Sequence, residues 1–172
     1  MTFITNNVGA LLQGIDLLER IDDELYSATE LAVCSSAVGG HIRHIVDYYG
    51  LMLSGVPEGR IDYDLRDRDP MVETDRRTGI ARLRGLVERL QGFDVAGAPT
   101  TVEVKVDLPE GQEAAWSRSS LERELQFSLS HTVHHFALIA TILRLNGCEP
   151  GPDFGVATST LRYMKERGAC AP

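Results

Sequence analysis

Between positions 6 and 26 the apolar residues Val8, Leu11, Leu12, Ile15, Leu18, Ile21 and Leu25 recur every three or four positions. That spacing places them on one stripe of an amphipathic helix, and Asn6 or Asn7 supplies an N-cap. A second helix is predicted over 37–54, opened by Ser35 or Ser36 and closed by Gly55 and Pro57. The stretch 57–69, rich in Asp and Arg, reads as a loop. Asp69-Pro70 then offers an N-cap followed by proline at the first helical position. It opens a third helix with the stripe Ile80, Leu83, Leu86, Val87 and Leu90, stopped by Gln91-Gly92.

The period changes over 101–107, where Val102, Val104 and Val106 alternate with Glu103, Lys105 and Asp107 as on a strand with one buried face. Pro109, Glu110 and Gly111 form a turn, and 114–118 is the candidate return strand of a hairpin. The longest helix starts at Ser119 or Ser120, with Glu122 placed for a capping box from Ser119, and runs to Asn146-Gly147. A short last helix lies near 157–167. The pattern predicts an all-α, single-domain chain over 1–172: a four-helix bundle with a small β-hairpin insert before the fourth helix and a short C-terminal helix.

The length of 172 residues suits one domain with a continuous core. No apolar run approaches the roughly 20 residues of a membrane span, so a membrane partner is not expected. Residues 1–7 lack the basic flank and apolar stretch of a secretory signal. Cys34, Cys148 and Cys170 are odd in number and far apart, which argues against a disulfide framework. Both features predict a cytoplasmic protein. A net charge of −8 opposes binding to nucleic acid.

The chemistry concentrates in the histidines. All five fall on two predicted helices: His41 and His44 on the second, His131, His134 and His135 on the fourth. Spacings of three and four aim the side chains of each group at one face, and neutral imidazole is a versatile ligand for divalent transition metals. Taken singly, a histidine on an apolar helix is more often a satisfied core or surface residue than a ligand. The face of His131 and His135 continues through Ser128, Leu138 and Ile142, however, which points inward. Burying several imidazoles without partners costs about 1 to 3 kcal/mol each, and a shared metal removes that cost.

His131 and His135 resemble the paired ligands of helical HExxH motifs, but position 132 is Thr, so zinc-protease chemistry is not indicated. His44 is taken as the third ligand. His41 and His134 are then groups beside the ligands or facing a substrate, candidates for catalytic proton transfer. Asp47 reads either as an acceptor that orients a ligand imidazole or as a solvated carboxylate. Tyr63, Arg66 and Arg68 sit among aspartates, either as a lid for an anionic substrate group or as a surface ion-pair network.

The segment Ser36-Ala37-Val38-Gly39-Gly40-His41-Ile42-Arg43-His44-Ile45-Val46-Asp47, together with Ser130-His131-Thr132-Val133-His134-His135-Phe136-Ala137-Leu138-Ile139, resembles the DinB/YfiT-like family of four-helix metal-binding proteins. The resemblance covers most of the chain. It implies one divalent ion bound by a histidine of the second helix and a His-x-x-x-His pair of a later helix, with water completing the shell. By position these are His44, His131 and His135. His41 and His134 are extra to that triad, which leaves the choice between His41 and His44 open.

Zinc or nickel is the ion implied first, with iron or manganese as alternatives, and a homodimer is implied as well. Characterised relatives include thiol-dependent transferases and a thiol-dependent maleylpyruvate isomerase. The expected function is therefore a metal-dependent enzyme acting on a small-molecule substrate. In it a three-histidine site activates water or a low-molecular-weight thiol for hydrolysis, transfer or isomerisation. The alternative is a non-enzymatic metal-binding or dimerising bundle in which the ion is structural; a bundle without metal is the third reading.

Overall fold

A computed structural model of the chain describes residues 2–28, 36–105 and 115–168. The class is mostly helical with one small sheet. Helix α1 (Thr2–Arg20) buries Val8, Leu11, Ile15 and Leu18, as the stripe predicts, and adds Leu17, while Leu12 turns outward at 49% exposure. It does not continue to Tyr26. The Asp22 side chain accepts from the Leu25 amide and so caps a separate short helix, α2 (Asp23–Ser27).

Helix α3 (Val38–Gly55) carries the first histidine pair. Its N-cap, Ala37, makes no side-chain cap bond, and the Ser36 hydroxyl donates to the Ala37 carbonyl instead of capping the helix. Gly39 lets the start of α3 press onto the next helix, because a Cβ there would stand 1.9 Å from the Glu73 carbonyl oxygen.

The predicted third helix is divided into α4 (Pro70–Thr74) and α5 (Arg76–Gln91). Asp69 caps α4 as expected. The division falls at Asp75, whose extended backbone leaves the helix and whose carboxylate accepts from the Arg77 and Thr78 amides. A second N-cap inside a predicted helix restarts it in a new direction.

The loop after α3 is not wholly irregular. Gly59, at φ +71°, turns the chain, and its carbonyl accepts from the Glu103 amide at 2.9 Å. Strand β1 (Arg60–Ile61) then pairs parallel to β2 (Thr101–Lys105) and buries Ile61 completely. Strand β3 (Trp116–Ser120) returns antiparallel to β2, in register from Thr101 opposite Ser120 to Lys105 opposite Trp116. The insert is therefore a three-stranded sheet rather than a hairpin alone, and its return strand starts two residues later than predicted. Val106, Asp107, the turn at Pro109, Glu110 and Gly111, Ser35, Cys34 and Cys170 lie outside the described residues. Cys148 is a partly buried free thiol.

Helix α6 (Leu121–Leu145) follows β3 directly, with Ser120 as N-cap accepting from the Arg123 amide. The predicted capping box of Ser119 and Glu122 is not formed. Ser119 ends on the strand instead, and its hydroxyl donates to Glu124. Helix α7 (Thr158–Arg167) buries none of its residues.

Helix α1 lies against α5 and α6, and α3 packs against the same two helices. Leu11, Leu18, Ile42, Ile45, Leu83, Leu90, Phe136 and Leu143 fill the space between them. A polar link crosses this core: the Tyr49 hydroxyl donates to Asn7 Oδ1, and the Asn7 amide donates to the Leu125 carbonyl at 3.0 Å. Tyr49 and Asn7 thus each find a partner on another helix. No helix among the described residues is long and apolar enough to cross a membrane.

Candidate metal centre

On α6 the buried stripe runs through Ser128, Thr132 and Phe136. His131 and His135 each stand one position before a buried residue, about 100° around the helix. They therefore sit at the rim of the core, facing α3. There, His41 and His44 flank buried Ile42 and Ile45 in the same way. The rim placement leaves all four rings partly buried and lets the two pairs converge.

Donor atoms of His44, His131 and His135 all lie within 4.8 Å of one another. The ring centroids are 4.9 Å apart for His44 and His131, 4.7 Å for His44 and His135, and 4.5 Å for His131 and His135. The Nε2 atoms of His131 and His135 are 3.2 Å apart. Nitrogens bound tetrahedrally at zinc distances are separated by roughly 3.3 Å, so this pair already has the span of two ligands on one ion. The donor set, three imidazoles without a carboxylate, suits a borderline divalent cation.

His41 is placed differently. Its Nδ1 lies 2.9 Å from Nδ1 of His135, on the side of that ring opposite the Nε2 that faces His131. An ion on His135 Nε2 requires the proton of that ring on Nδ1, where it donates to His41. His41 is thus positioned to fix the tautomer and orientation of a ligand. His134 is exposed and touches the cluster only through an edge contact of its ring with His135.

Burial holds the basicity of the cluster down. His44 is pushed down to about 4 and His135 to about 3, first by loss of solvent and then by neighbouring imidazoles; Arg66 and Arg43 add to the effect at His44. His41 and His131 move in the same direction, again chiefly through burial. The four rings are neutral at pH 7, with lone pairs available to an ion.

Around the imidazoles is an aromatic wall that the histidine pattern alone does not reveal. The Tyr48 ring centroid is 4.3 Å from that of His131, Phe127 stacks on His131 at 5.7 Å, and Tyr63 stacks on Tyr48 at 4.4 Å. Tyr48 is four residues after His44 and Phe127 four before His131, so helical spacing was the available signal. Tyr63 donates to buried Glu124 at 2.7 Å. Burial, and then that hydrogen bond, hold the Tyr63 hydroxyl far above its usual range, so it stays a neutral donor. Beside the wall is a cavity of about 380 Å³, lined also by Arg118 and Arg123.

Asp47 does not orient an imidazole among the described residues, nor is it solvated. It is 8% exposed and accepts from Arg43 Nη1 at 3.3 Å and from the Arg68 amide. It thereby anchors the 62–69 loop, in which Arg68 takes a left-handed φ of +54°. The two readings of that loop divide by residue. Asp62 and Asp64 pair with Lys105, and Asp69 with Arg82, whereas Tyr63 and Arg66 point to the histidine side, Arg66 with Nη1 3.3 Å from His44 Nδ1.

Comparison with known proteins finds a distant likeness. FK506-binding protein 5 of Rhizopus delemar is 26% identical over 165 residues, which span 93% of this chain and 37% of that protein. The chain thus covers little more than a third of the length of the curated relative it matches. No protein-family profile matches, and no solved structure does.

Proposed function

We propose that the chain is a DinB-like four-helix metalloenzyme in which His44, His131 and His135 hold one divalent ion, zinc or nickel in the first place. Bound there, such an ion supplies Lewis acidity that lowers the pKa of water or of a low-molecular-weight thiol at an open position. The observation that carries this reading is the convergence of the three donor atoms within 4.8 Å from two separate helices. The packing of α3 against α6, and of α1 against α5 and α6, supports this reading.

The chain's own residues supply the rest. With the ion on Nε2 of His135, His41 accepts a hydrogen bond from the Nδ1–H of that ring and holds it in that tautomer. Tyr48 and Phe127 cover His131 and limit water on that side. A cavity lined by Tyr48, Tyr63 and Phe127, though by none of the three histidines, offers space for a small-molecule substrate near the site. A structural ion calls for a closed shell of four protein ligands, and the fourth nearby imidazole, His41, is occupied with the far edge of His135. His134, exposed at the rim, is the remaining group able to carry protons to solvent. The FK506 binding in the name of the Rhizopus delemar relative belongs to a protein of which this chain spans 37%, and it is not carried over.

Metal analysis of the purified protein tests the reading. The wild-type chain is expected to retain about one zinc or nickel per chain, and His44→Ala, His131→Ala and His135→Ala each to lose it, while His134→Ala keeps it. Equal loss in all four variants, or retention in all, would overturn the assignment. Sedimentation of the same preparations reads the implied homodimer.

A further inference from the structure

Arg66 reaches from the 62–69 loop to α3 and brings Nη1 to 3.3 Å from Nδ1 of His44. A guanidinium has five N–H donors, no acceptor, and keeps its proton. In this pair His44 must therefore be the acceptor, with its lone pair on Nδ1 and its proton on Nε2. An ion shared with His131 and His135 also needs a lone pair from His44. Taken from Nδ1, that lone pair is lost to Arg66. Taken from Nε2, it forces the ring proton onto Nδ1, where it meets the Arg66 N–H head on. In both cases loading the ion breaks the contact.

Once released, Arg66 is a cation beside a divalent cation. Among the described residues it has no carboxylate partner, and its Nε is buried without a hydrogen-bond partner even while Nη1 rests on His44. Of the neighbouring bases, Arg43 is paired with Asp47 and Glu73, and Lys105 with Asp62 and Asp64. A partly buried charge without a carboxylate in contact is costly, and the ion adds two more positive charges. What completes this arrangement is an anion from outside the chain. The planar fork of Arg favours a carboxylate, and the wall of Tyr48, Tyr63 and Phe127 suits a flat apolar body behind it.

We propose that Arg66 is a metal-coupled receptor for a substrate carboxylate: it caps His44 in the metal-free chain, and occupation of the three-histidine site frees its guanidinium to bind the anion. The inference rests on that three-histidine reading and adds to it the class of substrate, a small carboxylate with a flat apolar body, and a linkage between ion and substrate. Because linkage is reciprocal, the anion tightens the ion as much as the ion tightens the anion.

The test is zinc affinity, measured by competition with a chromophoric chelator for wild type and Arg66→Gln, with and without benzoate as the probe. Without benzoate, Arg66→Gln is expected to bind zinc about ten-fold more tightly, since one competing charge-assisted hydrogen bond is gone. Benzoate is expected to tighten zinc in wild type and to have no effect in the variant. Equal or weaker zinc binding by Arg66→Gln overturns the proposal, as does a benzoate effect of the same size in both proteins, which would put the carboxylate on the ion alone. Nitrogen-15 NMR of the metal-free chain gives a second reading: His44 should carry its proton on Nε2, and the opposite tautomer also overturns the proposal. No zinc binding by wild type would bring down the three-histidine reading and the coupling together, whereas zinc binding indifferent to Arg66 would remove the coupling only.

Discussion

His41 shows how one side chain can matter without touching an ion. Its Nδ1 meets the far nitrogen of His135 at 2.9 Å, the position from which outer partners set the tautomer of a ligand imidazole. Replacing such partners typically weakens metal binding ten- to a hundred-fold. His41→Ala should therefore lower zinc affinity by about that factor. His41→Asn, whose amide oxygen still accepts a hydrogen bond, should recover part of it. Chelator competition measures both, and a neutral His41→Ala would mean that the contact has no orienting role. Which of the two α3 histidines faces the α6 pair, and which stands behind it, follows from a rotation of about 100° per residue. The spacing of three residues between His41 and His44 left that question open.

Among the elements, the breaks in the predicted helices carry the most information. Asp75 ends α4 and caps α5 with bonds to the Arg77 and Thr78 amides and to the Thr78 hydroxyl. Loss of an N-cap costs about 0.5 to 2 kcal/mol, so Asp75→Ala should lower the thermal midpoint by a few degrees while leaving zinc stoichiometry unchanged. A fall in zinc stoichiometry at temperatures where the variant is still folded would show instead that α5 positions the site directly. Periodicity did not disclose the break, because Ile80 to Leu90 continue the apolar pattern regardless. The N-cap signal at Asp75 was present in the sequence but stood inside a helix that Asp69-Pro70 had already opened. Strand β1 was hidden for another reason. Two residues show no alternation, and Ile61 becomes a strand residue only because β2 is alongside it.

The molecule as a whole links its stability to the histidine cluster. His44 and His135 have folded-state values near 4 and 3, against about 6.5 when unfolded. Between pH 6.5 and those values the unfolded chain binds more protons than the folded one. Stability of the metal-free protein therefore falls as pH drops through that window, and is insensitive to these groups above it. Denaturant titrations from pH 8 to pH 4 should show a plateau and then a decline beginning near pH 6.5; a decline beginning well above that would exclude the cluster as its source. Zinc, which binds neutral imidazole, opposes the decline. At a free concentration 100 times its dissociation constant it adds about 2.7 kcal/mol, a rise of about 5 to 10 °C in thermal midpoint for a chain of this size. Chelator should reverse that rise, and an unchanged midpoint on chelation of the zinc-loaded protein would leave the cluster without an ion to hold.

The long helices, their buried stripes and strand β2 were written in the order of apolar and polar residues, since period 3.6 and period 2 are local properties of the backbone. The two histidine groups were equally legible, because three- and four-residue spacings give a shared face wherever a helix forms. Only the tertiary packing set which nitrogens of the two helices meet, that Asp47 accepts from the Arg68 amide of the loop rather than from an imidazole, and that Arg66 lies on His44. Those contacts join positions that are far apart in the chain or lie on a loop without a period. Their geometry depends on how far each helix is rotated and how closely it approaches its neighbour, and that is a property of the filled core between them.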